Sequence, residues 1–278
     1  MINIIKRSVI LLLIGFILVT FSNGAISSPM DCKSCHTDQV SSWQKSDHAQ
    51  AMGIASKDTV LADFNNSTVK HFSQHAKFYR KNNQFFADLT EADKTTTYRI
   101  KYTFGHFPLQ QYLVEAKGGR YQVFPFAWDS RDKSQGGQRW YPNFASEDLQ
   151  PNDRLHWQQP LQNWNGMCAD CHSDGLKRNF NLAQDQFHTT WDNINVGCQS
   201  CHGKMEKHTH ESKPTQTTNQ LTLSASQKKE VLHWLMKPNE KVARLKTSDG
   251  QRASESQIQQ RQQVMNTCFS CHSLRSPL

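Results

Sequence analysis

The 278-residue chain has few apolar residues for its length. Only 36% of the residues are hydrophobic, and the mean hydropathy is −0.71. A domain of this size must bury much of its surface to be stable. The shortage therefore predicts that part of the chain is poorly ordered or that a group other than side chains fills its interior.

A long hydrophobic run is also missing. The longest one, residues 9–21, is shorter than the roughly 20 residues that a membrane-spanning helix needs. It follows Lys6 and Arg7 and precedes the small, polar stretch 22–28. This order is typical of a secretory signal peptide, which we place at residues 1–25, and it predicts cleavage and a periplasmic location. The alternative is a protein anchored in the membrane by residues 9–21.

Several functional signatures are absent. The sequence contains no Walker-type loop, no Rossmann fingerprint and no Ser-His-Asp order, and we find no isolated acid/base pair that requires a catalytic role. We therefore predict no catalytic residue.

No cysteine is left over, because all eight occur in Cys-x-x-Cys pairs that are each followed directly by histidine. The pairs are Cys32/Cys35, Cys168/Cys171, Cys198/Cys201 and Cys268/Cys271, and the histidines are His36, His172, His202 and His272. Zinc sites and thioredoxin-like sites explain a Cys-x-x-Cys pair but not the repeated adjacent histidine.

Covalent haem explains the whole pattern. Two thiols add to the vinyl groups of one haem, and the adjacent histidine binds its iron from the proximal side. The sequence thus predicts four c-type haems, held by the eight cysteines and the four following histidines. Four haems would supply apolar bulk to the interior. Their propionates would offset much of the formal charge of +8, so we expect no nucleic-acid partner.

The second ligand of each iron is harder to predict. An electron-carrying haem usually takes a second histidine or a methionine. Nine further histidines are available: His48, His71, His75, His106, His156, His188, His208, His210 and His233. Met52 and Met205 are also candidates, although methionine is more often a packing residue. The residues alone leave this choice open.

The region between the first two motifs alternates between apolar and polar residues. Residues 69–129 predict a small antiparallel β insertion, with hairpins turning at Asn82-Asn83 and at Gly118-Gly119. The second and third motifs are separated by so short a connection that we expect their haems to be neighbours.

The sequence segments around the motifs resemble those of a known family. They are "CKSCHTDQVSSWQKSDHAQAM", "YTFGHFPLQQYLVEAKGGRYQVFPFAWDSRDKSQGGQRWYPNF", "DRLHWQQPLQNWNGMCADCHS" and "VGCQSCHG". The sequence is similar to multihaem cytochromes of the cytochrome c-554 family over nearly all of residues 30–205. The resemblance implies a mainly α, loop-rich fold around the β insertion. It also implies closely packed haem pairs with mostly bis-histidine ligation. The four motifs and the signal peptide predict a tetrahaem domain at residues 26–278.

The same resemblance implies distal ligands. His48, His156 and His208 match family histidines near haem motifs, and His71 is a further candidate; His208 and His210 are hard to choose between. Because few residues follow His272, we expect the second ligand of the fourth iron to lie upstream.

These features predict an exported tetrahaem cytochrome that carries electrons between redox partner proteins, with loose association to membrane redox enzymes. One alternative is a reductase of a small nitrogen or sulfur species at a five-coordinate haem. Another is a membrane-anchored quinol dehydrogenase, which requires residues 9–21 to be retained.

Overall fold

The structure is a computed structural model that describes residues 30–203 and 267–272. The predicted signal peptide at 1–25, the alternative anchor at 9–21 and the candidate ligand His208 lie outside these residues. Within them, no helix has the length and apolarity needed to cross a membrane.

The described part of the chain is built mainly from strands. They are β1 (Met52–Ile54), β2 (Asn65–His71), β3 (Gln74–Lys81), β4 (Gln84–Glu91), β5 (Lys94–Phe104), β6 (Leu109–Ala116), β7 (Arg120–Val123), β8 (Phe126–Asp129), β9 (Arg139–Pro142), β10 (Phe180–Asn181) and β11 (Gln186–Phe187). The α-helices are α1 (Thr37–Trp43), α2 (Trp164–Met167), α3 (Ala169–His172) and α4 (Cys198–His202), and residues 267–272 are also helical. Short 3₁₀ helices cover Asp31–Ser34, Lys117–Gly119, Lys133–Gln135 and Pro160–Gln162.

One antiparallel sheet dominates the fold. Its strands follow the order β2-β3-β4-β5-β6-β8-β9, with β1 paired to β5 and β7 paired to β6. The two ends of this order approach each other, because Trp140 Nε1 in β9 donates to Ser67 Oγ in β2 at 3.0 Å. The sheet is therefore nearly closed into a barrel.

The prediction of a mainly α, loop-rich fold with a small β insertion is wrong. The longest described α-helix is α1, with seven residues, whereas the sheet runs from Met52 to Pro142 and exceeds the predicted 69–129. The physical reason is the alternation of side chains along the strands. In β4, Phe85, Ala87 and Leu89 are buried, and the residues between them are partly exposed. A period of two places one face of each strand on a core.

Aromatic side chains fill the interior of the sheet. The ring of Phe64 meets Phe78, Phe85, Tyr112 and Trp140 edge to face, with ring centres 5.0–5.7 Å apart. Trp140 also stacks on Phe78 at 3.5 Å. A few large rings bury as much surface as many smaller side chains. The low apolar content is therefore compatible with a core made of protein, contrary to the expectation from composition.

Both predicted hairpins are confirmed. Asn82 and Asn83 connect β3 to β4 with φ values of 50° and 60°, a conformation that asparagine tolerates better than most residues. Gly118 and Gly119 connect β6 to β7, also with positive φ. A Cβ atom on Gly119 would lie 2.1 Å from the carbonyl oxygen of Phe187, so no larger residue fits there.

Candidate functional site

Each of the four Cys-x-x-Cys-His motifs lies on or beside a helical turn. The first spans the 3₁₀ helix at Asp31–Ser34, the second lies at α3, the third is α4, and the fourth lies in residues 267–272. In a helical turn, residues three and four apart share a face. Two thiols and an imidazole within five residues are the donor set that covalent haem needs. No disulfide links the eight cysteines, all of which are described.

The second cysteines of the first two motifs, Cys35 and Cys171, follow their partners by one helical turn. The amide of Cys35 donates to the Cys32 carbonyl at 3.3 Å, and that of Cys171 donates to the Cys168 carbonyl at 3.2 Å. The two residues differ in exposure, since Cys35 is exposed and Cys171 is partly buried. The turns place each of these cysteines one turn after the first cysteine of its motif. That Cys35 and Cys171 bind haem stays a prediction, because these contacts do not test it.

The third motif meets the first directly. The Cys198 thiol donates a hydrogen bond to the Cys32 sulfur, which lowers the pKa of Cys32 to about 7. The same bond, followed by burial, raises the pKa of Cys198. The histidines of the two motifs are also close, since burial and then the neighbouring His36 lower the pKa of His202.

The third motif also meets the fourth. Burial raises the pKa of the Cys201 thiol, and the nearby sulfurs of Cys268 and Cys271 raise it further. The third motif therefore lies close to both the first and the fourth, an arrangement that spacing along the chain did not predict.

Hydrogen bonds join the chain around the first and third motifs. Trp43 Nε1 donates to the Val196 carbonyl at 3.0 Å, and Asn195 Nδ2 donates to the Ala49 carbonyl at 2.9 Å. The amide of Val196 donates to the carbonyl of His48 at 3.3 Å. These bonds hold the segment after the first motif against the segment before the third.

The second motif packs on the sheet where β5 ends. The ring of His172 lies 4.5 Å from that of Phe104, the last residue of β5. Cys168 packs beside a cluster that includes Trp164 and Met52. Trp164 Nε1 donates to the Met52 sulfur at 3.1 Å, and Met52 is only 3% exposed. Met52, a candidate sulfur ligand from the sequence, thus has a packing partner here.

His48 lies beside the histidine of the fourth motif. The ring centres of His48 and His272 are 6.1 Å apart, and the ring planes make an angle of 74°. This contact brings together one predicted proximal ligand and one predicted distal ligand.

The structure places His71 and His156 elsewhere. Both line a small cavity that is partly open to solvent. His156 is completely buried, and its Nε2 lies 3.0 Å from Glu91 Oε1, next to the start of β5. Phe104 lies roughly 33 Å further along that strand. His71 Nε2 is 3.2 Å from the Phe144 carbonyl oxygen.

Glu91 accepts a network of hydrogen bonds beside this cavity. Gln74 Nε2 and Trp157 Nε1 donate to Glu91 Oε1 at 2.5 and 3.2 Å, in addition to His156. Burial acts to raise the pKa of Glu91, but the hydrogen bonds from these three side chains together lower it. The carboxylate is therefore held in its ionised form.

Sequence reasoning did not select His106, although the fold brings it to the same end of β5 as the second motif. Its Nε2 lies 3.4 Å from Asp47 Oδ1, directly before His48 in the chain. Nothing in the neighbouring sequence distinguishes His106 from a surface histidine; only the strand that ends at Phe104 brings it there.

Comparison with known proteins identifies the family. The family model described as cytochrome c554 and c-prime matches residues 31–103 and 127–203, more than half of the chain. These segments contain the first three motifs, and the fourth lies beyond them. No curated protein and no solved structure matches the chain. The chain therefore belongs to the cytochrome c554 and c-prime family, and it is a c-type cytochrome, an electron carrier with covalently bound haem.

Proposed function

We propose that the protein is an exported tetrahaem cytochrome that carries electrons between periplasmic redox partner proteins. In this proposal each Cys-x-x-Cys pair binds one haem, and His36, His172, His202 and His272 bind the irons from the proximal side. The observation that carries the proposal is that all four Cys-x-x-Cys-His motifs lie on or beside helical turns, with the segments around the first and third joined by hydrogen bonds from Trp43 and Asn195.

His48 is the distal ligand that the geometry supports best. Its ring lies 6.1 Å from that of His272, so a predicted distal ligand and a predicted proximal ligand are neighbours in the fold. His71, His156 and His208 stay predictions: the first two make hydrogen bonds near the sheet cavity, and the third lies outside the described residues.

The chain's own residues would hold the haems close together. Bound haem supplies the iron that is reduced and reoxidised. The helical turns orient the thiols and imidazoles, and the bonds from Trp43 and Asn195 hold the first and third attachment segments together. The aromatic cluster around Trp164 packs beside the second. Electron exchange between neighbouring haems requires this kind of fixed, close placement.

Export is part of the same proposal. Family membership supports it, as do the apolar run at 9–21 and the adjacent lysine and arginine. We expect cleavage near residue 25 to leave a mature tetrahaem domain that associates only loosely with membrane redox enzymes. N-terminal sequencing of the mature protein tests this, because a retained residue 9–21 segment would instead indicate the anchored alternative.

The haem count is the direct test of function. Intact-protein mass spectrometry and the pyridine haemochrome assay should both report four haems per chain. Replacing Cys268 and Cys271 together by alanine should remove one haem, whereas replacing Ser270 in the same turn should remove none. Three haems in the unaltered protein would contradict the tetrahaem proposal. An optical change on adding cyanide or nitric oxide would instead favour the reductase alternative, since these ligands need an open iron.

The same count tests the exposed attachment residue of the first motif. Replacing Cys32 and Cys35 together by alanine should also remove one haem, and replacing Cys168 and Cys171 together should remove another. Ser34→Ala, in the turn of the first motif, is the matched control and should leave the haem count unchanged. An unchanged count in either double variant would show that its two cysteines do not bind haem.

A further inference from the structure

One buried carboxylate connects the second motif to the third. Asp174 lies two residues after His172 and is only 4% exposed. Its Oδ1 accepts a hydrogen bond from Ser200 Oγ at 3.0 Å, and the backbone amide of Gln199 also donates to the carboxylate. Ser200 and Gln199 are the two residues between the cysteines of the third motif.

The N-terminus of helix α4 has no capping side chain of its own, so its hydrogen-bond acceptor comes from another part of the chain. Its N-cap is Gly197, which makes no side-chain capping bond because glycine has no side chain. The first amides of a helix have no partner within the helix and are usually capped by a nearby side-chain oxygen. Asp174, from a distant part of the sequence, supplies that oxygen to the helix that carries Cys198, Cys201 and His202.

The backbone fixes Asp174 in place. Its amide donates to the Asn193 carbonyl at 2.9 Å, and its carbonyl accepts from the amides of Asp192 and Asn193 at 2.8 and 3.2 Å. The next residue, Gly175, has a φ of +65°, and a Cβ atom there would lie 2.1 Å from Asp192 Oδ2. The chain after His172 is therefore packed tightly against the chain that leads into α4.

We propose that Asp174 is a positioning residue that sets the placement of the second haem relative to the third. This inference rests on the proposed haem attachment at both motifs. The carboxylate is joined to the second motif by two residues of chain and to the third by hydrogen bonds, so a shift of one attachment segment is transmitted to the other. Loss of the carboxylate leaves Ser200 Oγ and the Gln199 amide without this acceptor and loosens the connection.

Electron redistribution inside the holoprotein measures this role. Pulse radiolysis can deliver less than one electron per molecule, and the later absorbance changes report transfer between haems. We expect Asp174→Ala to slow the internal redistribution about tenfold, which is the lower end of the loss in metal affinity or activity on removing a hydrogen-bond partner of a metal ligand. Ser200→Ala should slow it in the same direction, and the double variant should be no slower than Asp174→Ala, because both changes remove one connection.

Asp192→Asn is the matched control. It removes a neighbouring carboxylate charge without removing the bond to Ser200, so its redistribution rate should equal that of the unaltered protein. A purely structural role for Asp174 would lower the unfolding midpoint and leave the rate in the folded holoprotein unchanged, which would overturn the proposal. If Asp174→Ala does not retain its haems, an unchanged rate in Ser200→Ala overturns it. Fewer than four haems in the unaltered protein would instead contradict the proposed function.

Discussion

Replacement of Glu91 by alanine should strongly destabilise the protein. Glu91 accepts hydrogen bonds from His156, whose side chain is 1% exposed, and from the indole of Trp157, which is 4% exposed. A buried donor that loses its acceptor costs about 1–3 kcal/mol. Two such donors predict a loss of about 2–6 kcal/mol in the free energy of unfolding. Gln74, which also donates to Glu91, is partly exposed and can bond water instead.

Urea unfolding of the purified holoprotein, followed by tryptophan fluorescence, measures this loss. Glu115→Ala is the matched control on the same sheet. Its partner is Lys101 at 3.0 Å, but the Glu115 side chain is 58% exposed, so the expected cost is only about 0–1 kcal/mol. Equal free energies of unfolding for the two variants would refute the reasoning, because they would show that the donors around Glu91 find other partners at no cost.

Three further predictions concern acid stability, the core and the distal ligand. Because folding lowers the pKa of Glu91, its ionisation stabilises the protein above the unfolded value of about 4.3, and this contribution is lost as the pH falls through the lower folded pKa. As the pH falls below about 4.3, the free energy of unfolding of Glu91→Gln, measured in urea, should therefore decrease less than that of the unaltered protein. Parallel plots of this free energy against pH for the two proteins would contradict this. Phe78→Ala should cost about 3–5 kcal/mol in the same urea assay, because Phe78 is fully buried, whereas Leu182→Ala, at a site 84% exposed, should stay within about 0.5 kcal/mol. His48→Ala should convert one haem from low to high spin in electron paramagnetic resonance spectra, whereas His75→Ala, at an exposed site, should not; an unchanged spectrum for His48→Ala would exclude it as a ligand.

The hairpins of the sheet were predicted correctly from the sequence, whereas the mainly α fold class was wrong. Alternation along residues 76–89 and the pair Asn82-Asn83 predicted a hairpin, because strand period and turn conformation depend on neighbouring residues. The mainly α expectation came from the family resemblance and outweighed the same alternation elsewhere. The pairing of β1 with β5 and the approach of β9 to β2 are contacts between distant residues, and no local period encodes them.

In the candidate site, too, local sequence predicted the chemistry, and the tertiary structure decided which residues are neighbours. Local spacing alone predicted the haem chemistry, because a Cys-x-x-Cys-His turn contains both thiols and the imidazole within five residues, and family membership supports covalent haem. The tertiary structure decided which motifs are neighbours and which histidine faces another. The Cys198 thiol donates a hydrogen bond to the Cys32 sulfur, the rings of His48 and His272 are 6.1 Å apart, and Asp174 accepts a hydrogen bond from Ser200. The two residues of each pair are far apart in the sequence. His156 lies beside Glu91 instead, next to the start of β5. Such contacts depend on how the strands close around their aromatic core, which the order of residues does not display.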